Sequence, residues 1–550
     1  MTKQQFGRVK GRSMAEMGTT ETTPFPIRQM LVLAICRICE PIAFMGIFPY
    51  IYFMVKDFHM TEDESKISLY AGMVTSAFTF AEFATGVLWG RLSDRIGRKP
   101  VLLTGLVGTA ISVLIFGFSP NLYVALAARA VGGLLNGNMG VLQSTVAELI
   151  TDKAHQPRAY TIMPVVWCLG SIVGPMIGGA LAKPCESYPT LFSQGTIWDR
   201  YPYLLPNLFS AFICLVGVVN GLLFLEETHS AKKQQRDRGI EVGKWLLSMI
   251  PCVASRGPSD HADQTQSKYD EWSSESRPLL EEQLPGYRTT ENSPENSPRL
   301  ATSEVVEEPR ELLELDAGLR DSSKIFTKPV VLNVVAFGIL AFHTMTYDSL
   351  FPVFLSTPHS ENSAVRLPFK FSDGLAMPQQ EIGIILSAQG IYSLLINMAV
   401  VPWAIKRFGP LRLFRFLAVS YFLLYLFTPY IVLLPGSLRT IGIYVLLIWK
   451  CTFSNMAYPS NAILTANYAP SKHVLGNING VAASTASLCR GFGPIFAGLL
   501  YGIGLKSGYS GLAWWCSALV AIVGGVVALR IPEQPALCEK RQDDLEAQTS

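Results

Sequence analysis

Six charged residues sit where charge is expensive: Glu40, Glu82, Arg129, Asp348, Lys450 and Arg490 all fall inside long apolar runs. Arg37 and His343 share those runs. A lone charge in hydrocarbon is costly, so each is expected to face a partner, water or the interior of a helix bundle. A carboxyl so placed can trade protons when burial, which disfavours its charge, is balanced by a nearby arginine that favours it. Glu40, mid-run beside Pro41, and Asp348 are the candidates for that exchange, with Arg129 as the balancing cation. The competing reading makes each a paired structural charge. Glu82 lies a turn or two from the next charged loop and is expected to support it. His343 and Asp348 stand five apart, which does not put both on one helix face, and no third ligand follows, so no metal site is expected.

A second cluster reads GRLSDRIGRKPVLL from Gly90 to Leu103, with Arg91, Asp94, Arg95, Arg98 and Lys99 packed between two apolar runs. Such a cluster predicts a short loop, and its Arg and Lys excess marks the cytoplasmic side. Gly90 and Gly97 would permit a tight turn and close helix approach. A third pattern, LGSIVGPMIGG, places Gly170, Gly174, Gly178 and Gly179 mostly four apart, a face where another helix can approach closely. Pro175 inside it should bend the helix and free a carbonyl.

The elements that must position these residues are membrane spans. Of 550 residues 49% are apolar and 16% charged, against about 25% charged in a soluble domain. The charges crowd into the termini, the short connections and one central insert, leaving apolar stretches of about 20 residues. The runs near 30–55, 67–89, 100–118, 122–150, 159–182 and 203–225 predict six helices; those near 328–354, 380–405, 411–433, 438–465, 475–500 and 508–530 predict six more. Basic residues recur at alternate loops, including Lys406, Arg407, Arg412 and Arg415, which puts both termini inside. The halves echo one another: GPMIGG at 174–179 has a counterpart GPIFAG at 493–498, and RIGRKPVLL is mirrored by RFGPLRLFR at 407–415. Parallel halves around a midplane cavity suit alternating access.

The expected division is a cytoplasmic tail at 1–29, a six-helix half at 30–225, a largely disordered cytoplasmic loop at 226–326, a second half at 327–531 and a tail at 532–550. The loop is rich in Ser, Glu, Pro, Arg and Gln and cannot bury enough apolar surface to offset ordering. Two patches within it resist that reading: Val242–Val253 could lie on the membrane surface, and Val305–Leu319 could form a brief helix. Glu275, Leu279 and Leu280 in ESRPLL form an acidic dileucine pattern of the kind that sorts proteins to vacuole or endosome, and nearby Ser and Thr could take phosphate. The first 28 residues hold no apolar core with a cleavage site, so no signal peptide is expected. Ten cysteines are scattered without CxxC spacing, as small hydrophobes. Tyr50, Tyr52, Phe351, Trp403 and Trp449 read as interface anchors or cavity lining.

The Gly90–Lys99 block resembles the G-x-x-x-D-R-x-G-R-[KR] loop of the major facilitator superfamily. Arg129 with its trailing glycines resembles that family's fourth-helix arginine motif, and LGSIVGPMIGG the fifth-helix motif of its drug:proton antiporters. KPCESYPTLFS, RYPYLLPNLFS and EETH resemble the zinc-induced-facilitator-like group of plants and fungi. The resemblance spans about Arg28 to Pro532. It implies an all-α fold of twelve transmembrane helices in two six-helix halves, a monomer, and secondary active transport of a small organic solute, drug or chelator in exchange for protons. It also implies that Asp94 latches onto the N-terminal end of the eleventh helix in the outward-facing state, while Arg95, Arg98 and Lys99 join that contact or only fix topology. The fifth-helix bend would seal the cavity against proton leak.

No enzyme, cofactor, nucleic-acid partner or ATP-driven pump is indicated, the last because no G-x-x-x-x-G-K-[ST] loop is present. A proton symporter, a uniporter and a non-transporting receptor on the same fold remain alternatives to the antiporter. The location is a multi-pass membrane protein of vacuole, endosome or plasma membrane.

Overall fold

The computed structural model describes residues 25–61, 63–150, 156–229, 232–233, 235–249, 326–359, 366–371, 374–470 and 475–533. The apolar runs fold as helices because only intra-segment hydrogen bonding satisfies a backbone in lipid. In chain order they are α1 (Ile27–Met45), α2 (Ile51–Asp57), α3 (Ile67–Ile96), α4 (Arg98–Gly117), α5 (Leu122–Leu135), α6 (Asn138–Leu149), α7 (Gln156–Leu181), the short α8 (Pro184–Ser187) and α9 (Ile197–Arg200), and α10 (Leu204–Phe224). Then follow α11 (Arg238–Ser248), α12 (Lys328–Ser356), α13 (Gln379–Phe408), α14 (Pro410–Phe427), α15 (Gly436–Tyr468), α16 (Leu475–Ser507) and α17 (Leu512–Leu529).

Among the described residues ten helices are long and apolar enough to cross a membrane. The expected first and fourth spans are not in that set, for separate reasons. α1 carries Arg28, Arg37 and Glu40 and stops at Met45, with turns over residues 46–50 before α2 begins. The fourth run is interrupted at Asn136 and Gly137, which divide it into α5 and α6. The break has internal partners: the Asn136 side-chain amide donates to Glu40 Oε1 at 3.0 Å, and the Trp89 indole donates to the Leu134 carbonyl at 2.7 Å.

The Gly90–Leu103 stretch is not a loop. α3 stays helical through Ile96, and a single residue, Gly97, separates it from α4. Gly97 makes the turn at φ +107°, a conformation other residues resist. Gly90 lies inside α3 beside open space, so the expectation of a turn or close approach there is corrected. In the central insert, α11 is ordered against α10. It covers part of the Val242–Val253 patch, whereas Val305–Leu319 lies outside the described residues.

Helices α1–α10 form one packed group, with α7 and α10 on α1 and α5 on α3 and α4. Helices α12–α17 form another, with α16 and α17 on α12 and α15 and α17 on α14. The groups meet chiefly along two seams, α3 with α16 and α7 with α13. This is a two-domain helical packing of a polytopic membrane protein.

Candidate functional site

Both seams are made at the end away from the basic loops, the outer end. On the first, Asp63 pairs with Lys506, Ser68 Oγ donates to Gly498 O at 2.9 Å, and the Phe80 and Phe492 rings meet at 4.9 Å. On the second, Gln380 Nε2 donates to Ser187 Oγ at 2.7 Å, Ser387 Oγ to Ile172 O at 2.9 Å, and Asn397 Nδ2 approaches Cys168 Sγ at 3.6 Å. Further toward the inner end, Gly86 on α3 and Gly480 on α16 face open space. These side-chain contacts between the halves run from the outer end to Phe80–Phe492 and Cys168–Asn397 and stop short of the basic loops. Hydrogen bonds from Lys506 and Ser65 hold the Asp63 carboxyl down at about 2.

The glycines of α7 and α16 build these seams in matching ways. Gly174 faces α1, where an added β-carbon would lie 2.7 Å from Ile42 O and 3.1 Å from Gly46 N. Gly170 and Gly178 face Pro41 and Gly46 on the same side. Gly179 instead faces the other half, 3.0 Å from the Gly383 Cα on the same measure. In α16, Gly493 faces Phe342 and Thr346 of its own half, and Gly498 faces Ser68 and Leu69 of the other. Within the matched motifs GPMIGG and GPIFAG, the first glycine thus packs inside its own half and the last one across the seam. Pro175 leaves α7 unbroken, the helix running from Gln156 to Leu181.

Of the buried charges, Glu40 and Arg37 form an ion pair in α1, both nearly inaccessible, with the Arg37 guanidinium 5.3 Å from the Trp167 ring centre. Asp348 of α12 pairs with Lys450 of α15, and the Lys450 ammonium lies 6.0 Å from the centre of the Tyr347 ring. Both candidate proton carriers are thus committed to cations within their own half. Arg129 is 3% exposed, held against the rings of Phe78 at 4.6 Å and Phe44 at 5.5 Å. Its Nε and Nη2 have no hydrogen-bond partner. Aromatic faces offset part of the cost of a buried cation, but two idle donors leave Arg129 able to take an acceptor that the protein does not supply.

His343 is not beside Asp348 in any ligand sense. Its Nδ1 lies 2.9 Å from Tyr425 Oη, and that hydroxyl also donates to the His343 carbonyl at 2.7 Å. Tyr50, Tyr52 and Phe351 are buried rather than placed at an interface, so the anchoring expectation is corrected for them; Trp403, 60% exposed, fits it. Glu82 is also placed differently from the expectation. It packs against α5, where an added β-carbon at Gly133 would lie 3.0 Å from its backbone nitrogen, and among the described residues it forms no ion pair or hydrogen bond with the Asp94 cluster.

At the inner end, Arg98 gathers the basic motif. It donates to Asp94 Oδ1 at 2.6 Å, to Ser93 Oγ at 2.5 Å and to Glu148 Oε1 at 2.8 Å. Glu227 accepts the backbone N–H groups of Arg98 at 2.9 Å and Lys99 at 3.2 Å. A carboxylate suits the positive N-terminal end of α4. Lys99 Nζ donates to Asp237 Oδ2 at 2.6 Å and to Leu222 O at 2.9 Å. Burial alone would raise the Asp237 carboxyl, but the Lys99 ammonium outweighs it and holds the group below its ordinary value. Arg95 takes no part in these contacts. Glu148, Glu227 and Asp237 are carboxylates that sequence reasoning did not single out by role. Glu227 lies in the EETH block and Asp237 in the insert, so the only signal was a surplus of local basic charge awaiting partners. Glu275, Leu279 and Leu280 lie outside the described residues.

The sequence model of the Major Facilitator Superfamily matches residues 33–494. The chain is 50% identical over 539 residues to the major facilitator superfamily multidrug transporter mfsB of Aspergillus fumigatus, covering 98% of this chain and 88% of that protein. It is 26% identical over 481 residues to ZINC INDUCED FACILITATOR 1 of Arabidopsis thaliana, covering 87% and 84%. A bacterial homologue of the human lysosomal transporter Spinster, solved in an inward-facing and occupied conformation, shares the fold at a TM-score of 0.59 and 12% identity, covering 94% and 100%. The chain belongs to the Major Facilitator Superfamily and is a multi-pass membrane transporter of a small solute, not an enzyme.

Proposed function

We propose that the chain is a proton-coupled antiporter that moves a small organic solute or drug by rocking two six-helix halves about a midplane site. The observation that carries this reading is the one-sided seam: the halves touch at their outer ends and their contacts stop short of the basic loops, with Arg129, Glu82 and Arg490 near where they stop. A closed pore or a rigid receptor does not require matched glycine helices whose last glycine crosses between halves. Counting α1 with α2 as one span, and α5 with α6 as another, brings the ten long helices to twelve. On that count the halves run from 30 to 225 and from 327 to 531, joined by the 226–326 loop, with tails at 1–29 and 532–550.

The 50% identical relative is named as a multidrug transporter, which supports a drug-like or other organic solute. Glu40, Arg129 and Asp348 line the proposed cavity. Gly170, Gly174, Pro175, Gly178 and Gly179 form its close-packed wall, and Gly90, Asp94, Arg95, Gly97, Arg98 and Lys99 belong to the conformational motif. The transporter works as a monomer in a vacuolar, endosomal or plasma membrane, with Glu275, Leu279 and Leu280 as the sorting signal.

The test uses purified protein in liposomes with a trapped pH dye and an imposed proton gradient. Cationic drugs, organic acids and zinc with its chelators are added in turn. Solute-triggered collapse of the gradient, absent from empty liposomes, with solute and proton moving oppositely, is the expected result. Co-directional movement would replace antiport by symport, and binding without movement of either would replace transport by reception.

A further inference from the structure

Glu40 and Asp348 hold buried cations in fixed pairs, which makes both poor carriers of a proton that must be taken up and released each cycle. Glu82 differs. Among the described residues its side chain takes part in no ion pair or hydrogen bond, although it sits in α3 in the middle of the charged region. Phe80, two residues earlier, closes the outer side by meeting Phe492, and its ring fills the space beside Gly491. Arg490 precedes Gly491, so Glu82 and Arg490 flank the last aromatic contact of that seam, on the side toward the basic loops.

The charges that act on Glu82 through space come from three helices. Glu40 and Arg37 belong to α1, Arg129 to α5 and Arg490 to α16. α5 passes close by, since a β-carbon on Gly133 would lie 3.0 Å from the Glu82 nitrogen. Arg129 stacks on Phe78, one turn away on the same helix, with two nitrogens idle. Arg490 has its guanidinium 5.9 Å from the centre of the Tyr458 ring of its own half. Arg37, Glu40 and Arg129 therefore ride with Glu82 in one half, and Arg490 rides with the other.

We propose that Glu82 is the residue that binds and releases the transported proton, with Arg490 of the opposite half setting which form is favoured in each state. This rests on the proton-coupled reading above. Approach of Arg490 favours the carboxylate and sends the proton to the accessible side; its withdrawal favours the neutral acid. Rocking changes the Glu82–Arg490 separation and leaves the other three charges fixed, so the conformational change and the proton affinity are one coordinate.

The experiment reads conformation against pH and needs no known solute. Spin labels at Val87 and Val481, exposed on the inner parts of α3 and α16, report inner-end opening by pulsed EPR. The full chain is used, in lipid nanodiscs and with its cysteines replaced. The expected result is a wild-type distance distribution that shifts between open and closed populations as pH changes. E82Q abolishes the shift, and E82D restores part of it. R490Q removes the one charge that moves relative to Glu82 and should flatten the shift as well. A wild-type shift that persists unchanged in E82Q overturns the assignment to Glu82. A wild-type protein with no shift, and no solute-triggered gradient collapse in liposomes, overturns the proton-coupled reading itself.

Discussion

Replacing Asp348 by Asn would separate structure from transport at the second charge pair. Lys450 is 4% exposed and pairs with Asp348, with the Tyr347 ring nearby. Removing one member of a buried pair typically costs about 3–5 kcal/mol, because the other charge is left uncompensated. The Asp348 side chain keeps 28% of its exposure, and Tyr347 offers a cation–π contact of about 0.5–2 kcal/mol. Both soften the loss, so the lower end, about 3 kcal/mol, is expected for D348N. Exchanging the whole pair for neutral groups of similar size removes the stranded charge, and such replacements are often neutral or stabilising by about 1–4 kcal/mol. D348N/K450M should therefore recover most of the lost stability, with a coupling of about 2 kcal/mol in the double-mutant cycle. Unfolding in mixed detergent and SDS, followed by tryptophan fluorescence, measures all four proteins. A double variant no more stable than D348N would refute the reasoning. If the double variant is stable and still transports, the pair is structural; if it is stable and idle, the pair belongs to the solute or proton path.

Three other changes test the seams and the motif. G174L places a side chain where a first carbon already lies 2.7 Å from Ile42 O; overpacking of about 1–3 kcal/mol or more should separate α1 from α7 and abolish coupled transport, read as gradient-driven flux at matched abundance, with G174A intermediate. D94N leaves Arg98 with Glu148 and Ser93 and removes a carboxylate whose side chain is 62% exposed, so abundance should hold while turnover slows several-fold; normal turnover would remove the latch role. D63N deletes the Lys506 partner and should raise the outward-open population, measured by labelling of single cysteines in the cavity. Because the folded Asp63 value is depressed to about 2 from 3.8, its contribution is fully present above 3.8 and fades as pH falls toward 2. The outer seam should then be insensitive to pH near neutrality, and a loss of closure between about pH 5 and 8 would contradict the pair's role.

How much was legible follows from which signals are local. Span positions came from apolar length, so α12, α13 and α15 lie within a few residues of expectation. The α5–α6 break was not legible, because its cause is tertiary: Asn136 turns to reach Glu40 in another helix. The Gly90–Leu103 block misled for the opposite reason. Charge density there reads as loop, yet the helix runs to Ile96, with Ser93 Oγ bonded back to the Gly90 carbonyl and Asp94 paired across the Gly97 turn with Arg98 of α4. Gly174 was recognised as a packing position, but the sequence carried no hint that Gly179, five residues on, would face the other half. Partners of the buried charges were the least readable part, since Arg37 with Glu40 is a near neighbour in sequence whereas Asp348 with Lys450 joins residues 102 apart.

The geometry also limits where proton energy can act. At the seams backbone approaches backbone, through Gly179 with Gly383 and Gly498 with Ser68, and contacts that close are either made or broken, with little between. The Asp63 carboxyl beside one of them is held down at about 2, well below neutral pH. Arg37–Glu40 and Asp348–Lys450 each lie within one half, so rocking leaves their pairing intact. A group that couples protons to rocking must feel a charge that moves relative to it. In this molecule that requirement singles out an acid on one half facing a base on the other. On the proposed proton coupling, Glu82 with Arg490 would meet it, and the fixed pairs would hold each half rigid while that separation changes.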